Sequence, residues 1–241
     1  MKIDFVIFDW NDTIVDRTST LNRMLQNKTD QKLMKKYGIT VSDSDFLSSF
    51  KKTNRDMKAI TSSNQKIIGG LWTKLFFKNL GVNVPDKTCE SIQREFDELC
   101  LKDINLNSGV KETLDFLLQK QIPLGIITNS KKEDLVKELK KFDLSKHFGI
   151  SVTGCEYGEK STKKPFEIFL KQASEKYGRT IEPGNCVHVG NNPNEDLVAA
   201  EFGIKTVLFD KLNSLEPDTR ITHKITDFSQ LIKLVTQIHS D

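Results

Sequence analysis

The sequence predicts an α/β fold in which a doubly wound, Rossmann-like parallel sheet is interrupted by an all-helical insert. The apolar run from Phe5 to Phe8 is predicted to be a buried strand, because it is short, aromatic and β-branched and ends at Asp9. Residues 17 to about 104 show helical spacing of apolar residues, and from about residue 105 helix and strand patterns alternate. Such alternation is typical of parallel sheets. We therefore predict a core domain of residues 1–16 and 105–241, and a helical cap domain of residues 17–104 that lies over the strand ends.

The helical character of the insert rests on three apolar stretches. The first, residues 21–34, has leucine and methionine at intervals of three to four. The second, residues 67–77, precedes Gly81, a residue typical of helix ends, and the third, residues 89–101, follows Pro85. The aromatic residues of the second stretch either line a substrate pocket or form the core of the cap, and their helical spacing favours the core. They are Trp72, Phe76 and Phe77.

The rest of the core domain is predicted to alternate between helices and strands. Ser108 is a suitable cap for the first of these helices. Helices are predicted at residues 110–120, 133–142, 165–176 and 196–202, and strands at residues 122–127, 149–152, 186–189 and 206–209.

Composition places the chain among globular proteins and disfavours several functions. Of its 241 residues, 37% are hydrophobic and 29% are charged, so the chain can bury a core. A net charge of +3 with scattered lysine pairs disfavours nucleic-acid binding. The four cysteines lie far apart, which disfavours a zinc site or a disulfide framework. With no signal-peptide pattern and no apolar run of membrane length, we expect a cytoplasmic protein without a membrane partner; the oligomeric state is not predicted.

Polar residues gather where the predicted strands end. Asp9 and the turn Asn11-Asp12-Thr13 follow the first strand, Thr128-Asn129-Ser130 follow the second, and a Gly-Asn-Asn-Pro segment follows the strand at 186–189. The carboxyl ends of parallel strands border the crevice in which α/β proteins bind ligands. An ionised carboxylate at such a position can attack phosphorus. Since attack on a phosphate dianion is repulsive, a lysine and a divalent cation are needed to offset the charge.

Four segments resemble, in order and spacing, the four motifs of the haloacid dehalogenase-like (HAD) hydrolase superfamily. They are FVIFDWNDTIVD (residues 5–16), GIITNS (125–130), KSTKKPFEIFL (160–170) and CVHVGNNPNEDLVAA (186–200). The resemblance extends over nearly the whole chain, and the helical insert is similar to the type-1 cap of this superfamily. It implies a hydrolase, most often a phosphatase.

The resemblance implies a role for each motif. It assigns the nucleophile to Asp9, phosphate binding to Thr128 and Asn129, and a charge-neutralising lysine to the third motif. Lys163 lies six residues before a motif phenylalanine, whereas Lys164 belongs to the Lys-Pro dipeptide. Both are candidates for contact with phosphate, and we favour Lys164 as the catalytic lysine.

The resemblance also implies Mg²⁺, held by Asp9, the backbone carbonyl of Asn11, Asn191 and Asp196. Two of these residues depart from the family pattern, since Asn11 and Asn191 stand where the family usually has aspartate. The carboxamide of Asn11 cannot transfer a proton to a leaving group, a step worth roughly 10²–10⁴-fold in rate; Asp12 is the alternative proton donor. Asn191 brings no charge to the metal. We therefore expect low turnover and weak Mg²⁺ binding, both improved by aspartate at these two positions.

Three functions follow from this resemblance. The favoured one is a magnesium-dependent phosphatase that acts on a small phosphorylated metabolite through an aspartyl-phosphate intermediate. The second is a degenerate member that binds a phosphorylated ligand or a protein partner without appreciable turnover. The third is a dehalogenase or phosphonate-cleaving hydrolase, with which Trp10 and Asn11 are compatible.

Overall fold

The computed structural model describes residues 3–62 and 70–240, which belong to two compact units. The sheet unit combines Met1–Asp16 with Asn105–Asp241, and the helical unit is Arg17–Ile104. The role of the helical unit as a cap stays a prediction.

The described part of the helical unit is formed by helices packed around an aromatic core. Its helices are α1 (Arg17–Gln26), α2 (Thr29–Lys36), α3 (Asp43–Ser62), α4 (Leu71–Leu80) and α5 (Asp86–Asp103). Phe76 and Phe77 are buried against Leu33 and Met34, and Trp72 stacks on Phe76 with ring centroids 5.3 Å apart. The aromatic residues therefore belong to the core of this unit, as their helical spacing predicts. Residues 67–69 of the predicted second apolar stretch lie outside the described residues.

The sheet unit alternates strands and helices over its described length. Its strands are β1 (Phe5–Phe8), β2 (Leu124–Thr128), β3 (Phe148–Thr153), β4 (Cys186–Gly190), β5 (Lys205–Phe209) and β6 (His223–Ile225). Its helices are α6 (Val110–Gln119), α7 (Lys132–Lys141), α8 (Gly154–Tyr157), α9 (Lys164–Tyr177), α10 (Pro193–Asp196) and α11 (Phe228–Ser240). Short 3₁₀ helices span Lys160–Thr162, Pro183–Asn185 and Leu197–Phe202.

All six strands are parallel, in the spatial order β3-β2-β1-β4-β5-β6. This confirms the predicted doubly wound α/β fold. The strand order reverses between β1 and β4, and ligands bind at such a switch point, outside the carboxyl ends of the strands. Phe8, the last residue of β1, pairs with Ile126 of β2 and Val189 of β4. The segments that follow these three strands therefore emerge side by side.

The central strands are buried along their whole length. Every residue of β1, β2 and β4 is buried. Phe5 and Ile7 of β1 share a core cluster with Phe166 and Phe169 of α9, and the rings of Phe5 and Phe169 meet edge to face at 5.4 Å. This packing holds the strand ends on a rigid base.

Two expectations from composition can be compared with the structure. All four cysteines are free thiols, and Cys155 is the exposed one. No helix in residues 3–62 and 70–240 is long and apolar enough to cross a membrane.

Candidate active site

A tight loop at the end of β1 brings Asp9 and Thr13 together. The N–H of Ile14 donates to the carbonyl of Trp10 at 2.9 Å and closes the loop. Asp12 lies within it at a φ of 59°, a left-handed conformation that aspartate adopts more readily than most residues. Because of this loop, the hydroxyl of Thr13 lies next to the strand end, where it donates to Asp9 Oδ2 at 3.2 Å.

A buried lysine connects Asp9 to a second carboxylate. Lys160 Nζ lies 2.6 Å from Asp9 Oδ1 and 2.6 Å from Asp196 Oδ1. The lysine is only 1% exposed, and Glu195 lies 3.9 Å from the same ammonium. A buried ammonium is tolerated when opposite charges and hydrogen bonds surround it. The two aspartates therefore fix Lys160 at the switch point of the sheet.

Asp196 is held from several sides. Its Oδ1 accepts from Lys160 and lies 2.9 Å from His188 Nε2, and its Oδ2 accepts from the Asn192 N–H at 2.9 Å. A β-carbon built on Gly190 would lie 2.1 Å from Asp196 Cγ, so the end of β4 requires glycine for this close approach. Because both oxygens of Asp196 are engaged, this carboxylate is placed to orient Lys160.

Burial and the shared ammonium act together on the pKa values of the two carboxylates. Burial raises the pKa of Asp9 to about 6; the charge of Lys160 opposes this and the charge of Asp196 adds to it. Burial acts in the same direction on Asp196, but Lys160 and His188 outweigh it and hold the pKa of Asp196 well below its usual range. Burial acts to lower the pKa of Lys160, but the two carboxylates outweigh it and raise that pKa. Burial thus favours the neutral form of Asp9, and the ammonium beside it favours the carboxylate form.

Asn129 supports the lysine from the end of β2. Its Oδ1 accepts from the backbone N–H of Lys160 at 3.0 Å, and its Nδ2 donates to Glu195 Oε2 at 2.8 Å. A β-carbon on Gly154 would lie 2.5 Å from Asn129 Oδ1, so the backbone at the start of α8 packs directly on this amide. Both ends of the Asn129 amide are occupied by protein groups. The contact of Asn129 with phosphate stays a prediction.

Thr128 and Asn11 meet at Ser130. Asn11 Nδ2 donates to Ser130 Oγ at 2.9 Å, and Thr128 Oγ1 donates to the same oxygen at 3.2 Å. The Ser130 N–H in turn donates to Thr128 Oγ1 at 3.2 Å. These three residues form a polar row along the carboxyl ends of β1 and β2.

Asn191 faces the second oxygen of Asp9. One terminal amide atom of Asn191 lies 3.2 Å from Asp9 Oδ2, 3.1 Å from the Asn11 carbonyl oxygen and 3.1 Å from Thr13 Oγ1. All three neighbours are oxygen atoms, and the opposite amide atom faces hydrogen-bond donors. The hydrogen bonds are therefore satisfied when the near atom is Nδ2.

Oxygen ligands that suit Mg²⁺ are present at this point. Asp9 Oδ2 and the Asn11 carbonyl are hard oxygen donors, and the Asn191 carbonyl would join them if its amide turned over. Within residues 3–62 and 70–240, no three His, Cys, Asp or Glu side chains form a cluster that could hold a metal ion. With the Asn191 amide turned over, one carboxylate and two carbonyls would suit Mg²⁺, whereas the oxygens of Asp196 contact Lys160, His188 and the Asn192 N–H.

Lys163 and Lys164 do not reach the Asp9 carboxylate. The ammonium of Lys163 pairs with Glu201, and the exposed Lys164 begins α9. The structure thus places Lys160, not the favoured Lys164, beside the predicted nucleophile. Lys160 is the first residue of a 3₁₀ turn, and Lys163 has a left-handed φ of 69° just before the helix. Counting back from helix residues therefore does not locate this lysine.

Several residues of the site were not predicted. Thr13 and Ser130 lie in polar segments at strand ends, and their polarity was the available signal. His188 is a polar residue inside the apolar run of β4, and such a residue needs a buried partner. No local pattern distinguishes Lys160 from its neighbours. These residues are Thr13, Ser130, Lys160, His188 and Glu195.

The fold and the site together define an α/β protein with a strand-end carboxylate and a buried lysine at its switch point. The sequence profile of the haloacid dehalogenase-like hydrolases matches residues 6–209. The chain therefore belongs to this family, which confirms the resemblance of its four motifs.

Curated relatives with similar sequences are phosphatases. The chain is 34% identical over 88 residues to a phosphorylated carbohydrates phosphatase of Thermotoga maritima, a match that covers 36% of this chain and 38% of that protein. It is 28% identical over 114 residues to a phosphoglycolate phosphatase of Escherichia coli, covering 47% of this chain and 43% of that protein. In both cases the match spans less than half of the relative.

Solved structures of the same fold match almost the whole chain. The HAD-hydrolase YfnB from Bacillus subtilis, bound to magnesium, matches with a TM-score of 0.73 at 16% identity, over 98% of this chain and 100% of that one. The 2-haloacid dehalogenase from Pseudomonas syringae matches with a TM-score of 0.63 at 18% identity, over 98% of this chain and 99% of that one. At these identities the similarity shows the fold alone.

Proposed function

We propose that this chain is a phosphatase that releases phosphate from a small phosphorylated metabolite, with Asp9 as the nucleophile. The observation that carries the proposal is the buried contact of 2.6 Å between Asp9 Oδ1 and Lys160 Nζ at the carboxyl end of β1. It combines an ionised carboxylate with a fixed positive charge, which attack on a phosphate requires. The family and the names of the curated relatives, which act on phosphorylated carbohydrates and phosphoglycolate, support the substrate class.

In the proposed reaction, a carboxylate oxygen of Asp9 attacks phosphorus while the bond from phosphorus to the leaving oxygen breaks. The products are an aspartyl phosphate and an alkoxide that takes up a proton. Water then attacks the phosphorus of the aspartyl phosphate, which releases inorganic phosphate and restores the carboxylate. Lys160 offsets the negative charge that accumulates when Asp9 and the phosphate meet.

Mg²⁺ is the proposed cofactor. Asp9, the backbone carbonyl of Asn11 and the side-chain carbonyl of Asn191 would hold it. When bound, the ion supplies positive charge against the repulsion between the Asp9 carboxylate and a phosphate dianion.

A second candidate function, ligand binding without appreciable turnover, is favoured by Asn11. Its side chain donates to Ser130 Oγ at 2.9 Å, and a carboxamide cannot give a proton to a leaving oxygen and recover it from water. Asp12, the next residue along the loop, is the carboxyl group that could replace it. Without such a replacement, the same site would bind a phosphorylated ligand and release it unchanged.

Release of phosphate from an aryl phosphate in the presence of Mg²⁺ tests the proposal. We expect Asp9→Asn to lose this release, because an amide is not a nucleophile. The melting temperature should change little, since Lys160 keeps Asp196 as its charged partner and the asparagine oxygen can still accept from it. The matched control is Asp115→Asn on α6, where the carboxylate lies 3.0 Å from His147 outside the site, and this variant should keep its activity.

The alternatives give different results in the same experiment. Undiminished release by Asp9→Asn would overturn the assignment of the nucleophile. Absence of release by the wild type, together with binding of phosphate to the site, would favour the second candidate. Release of halide from a 2-haloacid without release of phosphate would identify a dehalogenase instead.

A further inference from the structure

Three oxygen atoms of the candidate site converge on one atom of Asn191. They are Asp9 Oδ2 at 3.2 Å, the Asn11 carbonyl oxygen at 3.1 Å and Thr13 Oγ1 at 3.1 Å. Such a convergence of oxygen atoms is stable only when hydrogen atoms or a cation lie between them.

The two orientations of the amide are not equivalent here. With the Asn191 oxygen towards Asp9, the amide brings no hydrogen to these oxygens, and the Thr13 hydroxyl lies 3.1 Å from Asn191 Oδ1 and 3.2 Å from Asp9 Oδ2. With the nitrogen there, two amide hydrogens are added, and Thr13 still donates to Asp9. The amide then donates to oxygen atoms on this side and accepts on the other, so the nitrogen orientation satisfies both of its ends.

We propose that the Asn191 amide takes the place of a cation, linking Asp9, the Asn11 carbonyl and Thr13 through its two hydrogens together with the Thr13 hydroxyl hydrogen, and that Mg²⁺ binds here only after this amide turns over. The inference rests on the proposed function, because it concerns the cofactor of the same site. It adds that the site has two exclusive states. In one the amide nitrogen faces Asp9, and in the other the amide oxygen and a cation do.

This arrangement has a consequence for affinity. Before the Asn191 carbonyl can serve as a ligand, Mg²⁺ must break the hydrogen bonds of the state in which the amide nitrogen faces Asp9. An aspartate at this position has no hydrogens to offer, so its oxygens would face the other oxygens until a cation enters. The Asn191 amide therefore stabilises the site without a cation. It lowers the affinity for Mg²⁺ because its hydrogen bonds compete with the ion and because it carries no charge.

Calorimetric titration with MgCl₂ tests the proposal without any substrate. We expect Asn191→Asp to bind Mg²⁺ roughly 30-fold more tightly than the wild type or better, because about two hydrogen bonds no longer have to be broken. The matched control is Asn192→Asp, which adds the same charge one residue along and can keep its contact as a helix cap to the Asn194 N–H. The control should stay close to the wild type. Equal affinities for wild type and Asn191→Asp would overturn the proposal.

A second measurement uses the wild-type protein, so it does not depend on a variant folding. The side-chain amide protons of Asn191, assigned from the signal lost in Asn191→Asp, should exchange slowly with water in EDTA. Saturating Mg²⁺ should shift this signal and speed up its exchange. An Asn191 signal that exchanges fast in EDTA, or that stays unchanged at saturating Mg²⁺, would overturn the two-state arrangement.

Failure of this inference is distinguishable from failure of the proposed function. If the Mg²⁺ titrations and the amide signal behave as expected but no phosphate is released, the proposed phosphatase function fails and the inference holds. If the wild type releases phosphate and Asp9→Asn does not, but the Asn191 amide signal stays unchanged at saturating Mg²⁺, the inference fails and the function holds.

Discussion

Lys160 governs the charge balance of the candidate site, because two buried carboxylates share its ammonium. Its Nζ lies 2.6 Å from both Asp9 Oδ1 and Asp196 Oδ1. Without it, two negative charges would face each other away from water. Removing one partner of a buried ion pair costs about 3–5 kcal/mol, because the remaining charge is left uncompensated.

We expect Lys160→Met to reduce phosphate release about 10²–10³-fold, the range seen when a preorganised electrostatic contact is removed. Lys164→Met should leave the rate nearly unchanged, because this lysine is exposed at the start of α9. Steady-state kcat measures the effect, and thermal melting reports stability separately. Lys160→Arg retains the charge and should recover stability more than activity, since a planar guanidinium does not replace an ammonium. A larger loss at Lys164 than at Lys160 would contradict the assignment.

Among the individual site residues, those that directly follow a strand could be predicted from the sequence. Asp9 and Asn191 come immediately after β1 and β4, and parallel pairing carries both to the same edge of the sheet. Lys160 could not be predicted in this way, because it lies in the irregular segment before α9 and not at the end of a strand. Its position depends on a contact with Asn129, a residue 31 positions away, and no local pattern reports such a contact.

At the scale of elements, the end of β4 is the most constrained junction of the site. The φ of Gly190 does not lie in the left-handed region, so the requirement for glycine here is steric. Asp196, at the end of α10, lies against the place where a side chain at position 190 would begin.

We expect Gly190→Ala to displace Asp196 and with it Lys160, because the new β-carbon would lie 2.1 Å from Asp196 Cγ. Overpacking of this kind costs about 1–3 kcal/mol. The melting temperature should therefore fall by several degrees, and phosphate release should drop further than the stability loss explains. Gly184→Ala is the matched control, since nothing lies within 4 Å of a β-carbon there. Equal behaviour of the two variants would show that the loop can give way.

The elements themselves were largely predictable, because the central strands are apolar runs bounded by polar turns. Strand β6 was not predicted, since it has three residues and only Ile225 is buried. Helix α11 was not predicted either, although Phe228, Leu231 and Val235 are buried at the three-to-four spacing of a helix. Its pattern was therefore available in the sequence, whereas that of β6 was not.

At the scale of the whole molecule, the edge of the sheet depends on an aspartate at the end of β5. Asp210 is buried, and its carboxylate accepts from the backbone N–H groups of Ser214 and Leu215 at 3.1 and 2.8 Å. Lys224 of β6 lies 2.7 Å from Asp210 Oδ2. The carboxylate thus ties the following loop and the last strand to the sheet.

The ionisation of Asp210 should make the sheet unit sensitive to acid. Burial acts to raise the pKa of Asp210, but Lys224 and the two N–H groups outweigh it and hold the pKa below its usual value of 3.8. A carboxyl whose pKa is lower in the folded state contributes stability above its unfolded pKa, and this contribution disappears as the pH falls through the folded pKa.

We therefore expect Asp210→Asn to lower the melting temperature at pH 7. The difference from the wild type should shrink as the pH falls below about 4, where the wild-type carboxyl becomes protonated. Melting curves between neutral and strongly acidic pH measure this, with the exposed Asp143→Asn as the control that should follow the wild type throughout. A difference between Asp210→Asn and the wild type that stays constant with pH would mean that the side chain stabilises the edge by shape and hydrogen bonding, and not by its charge.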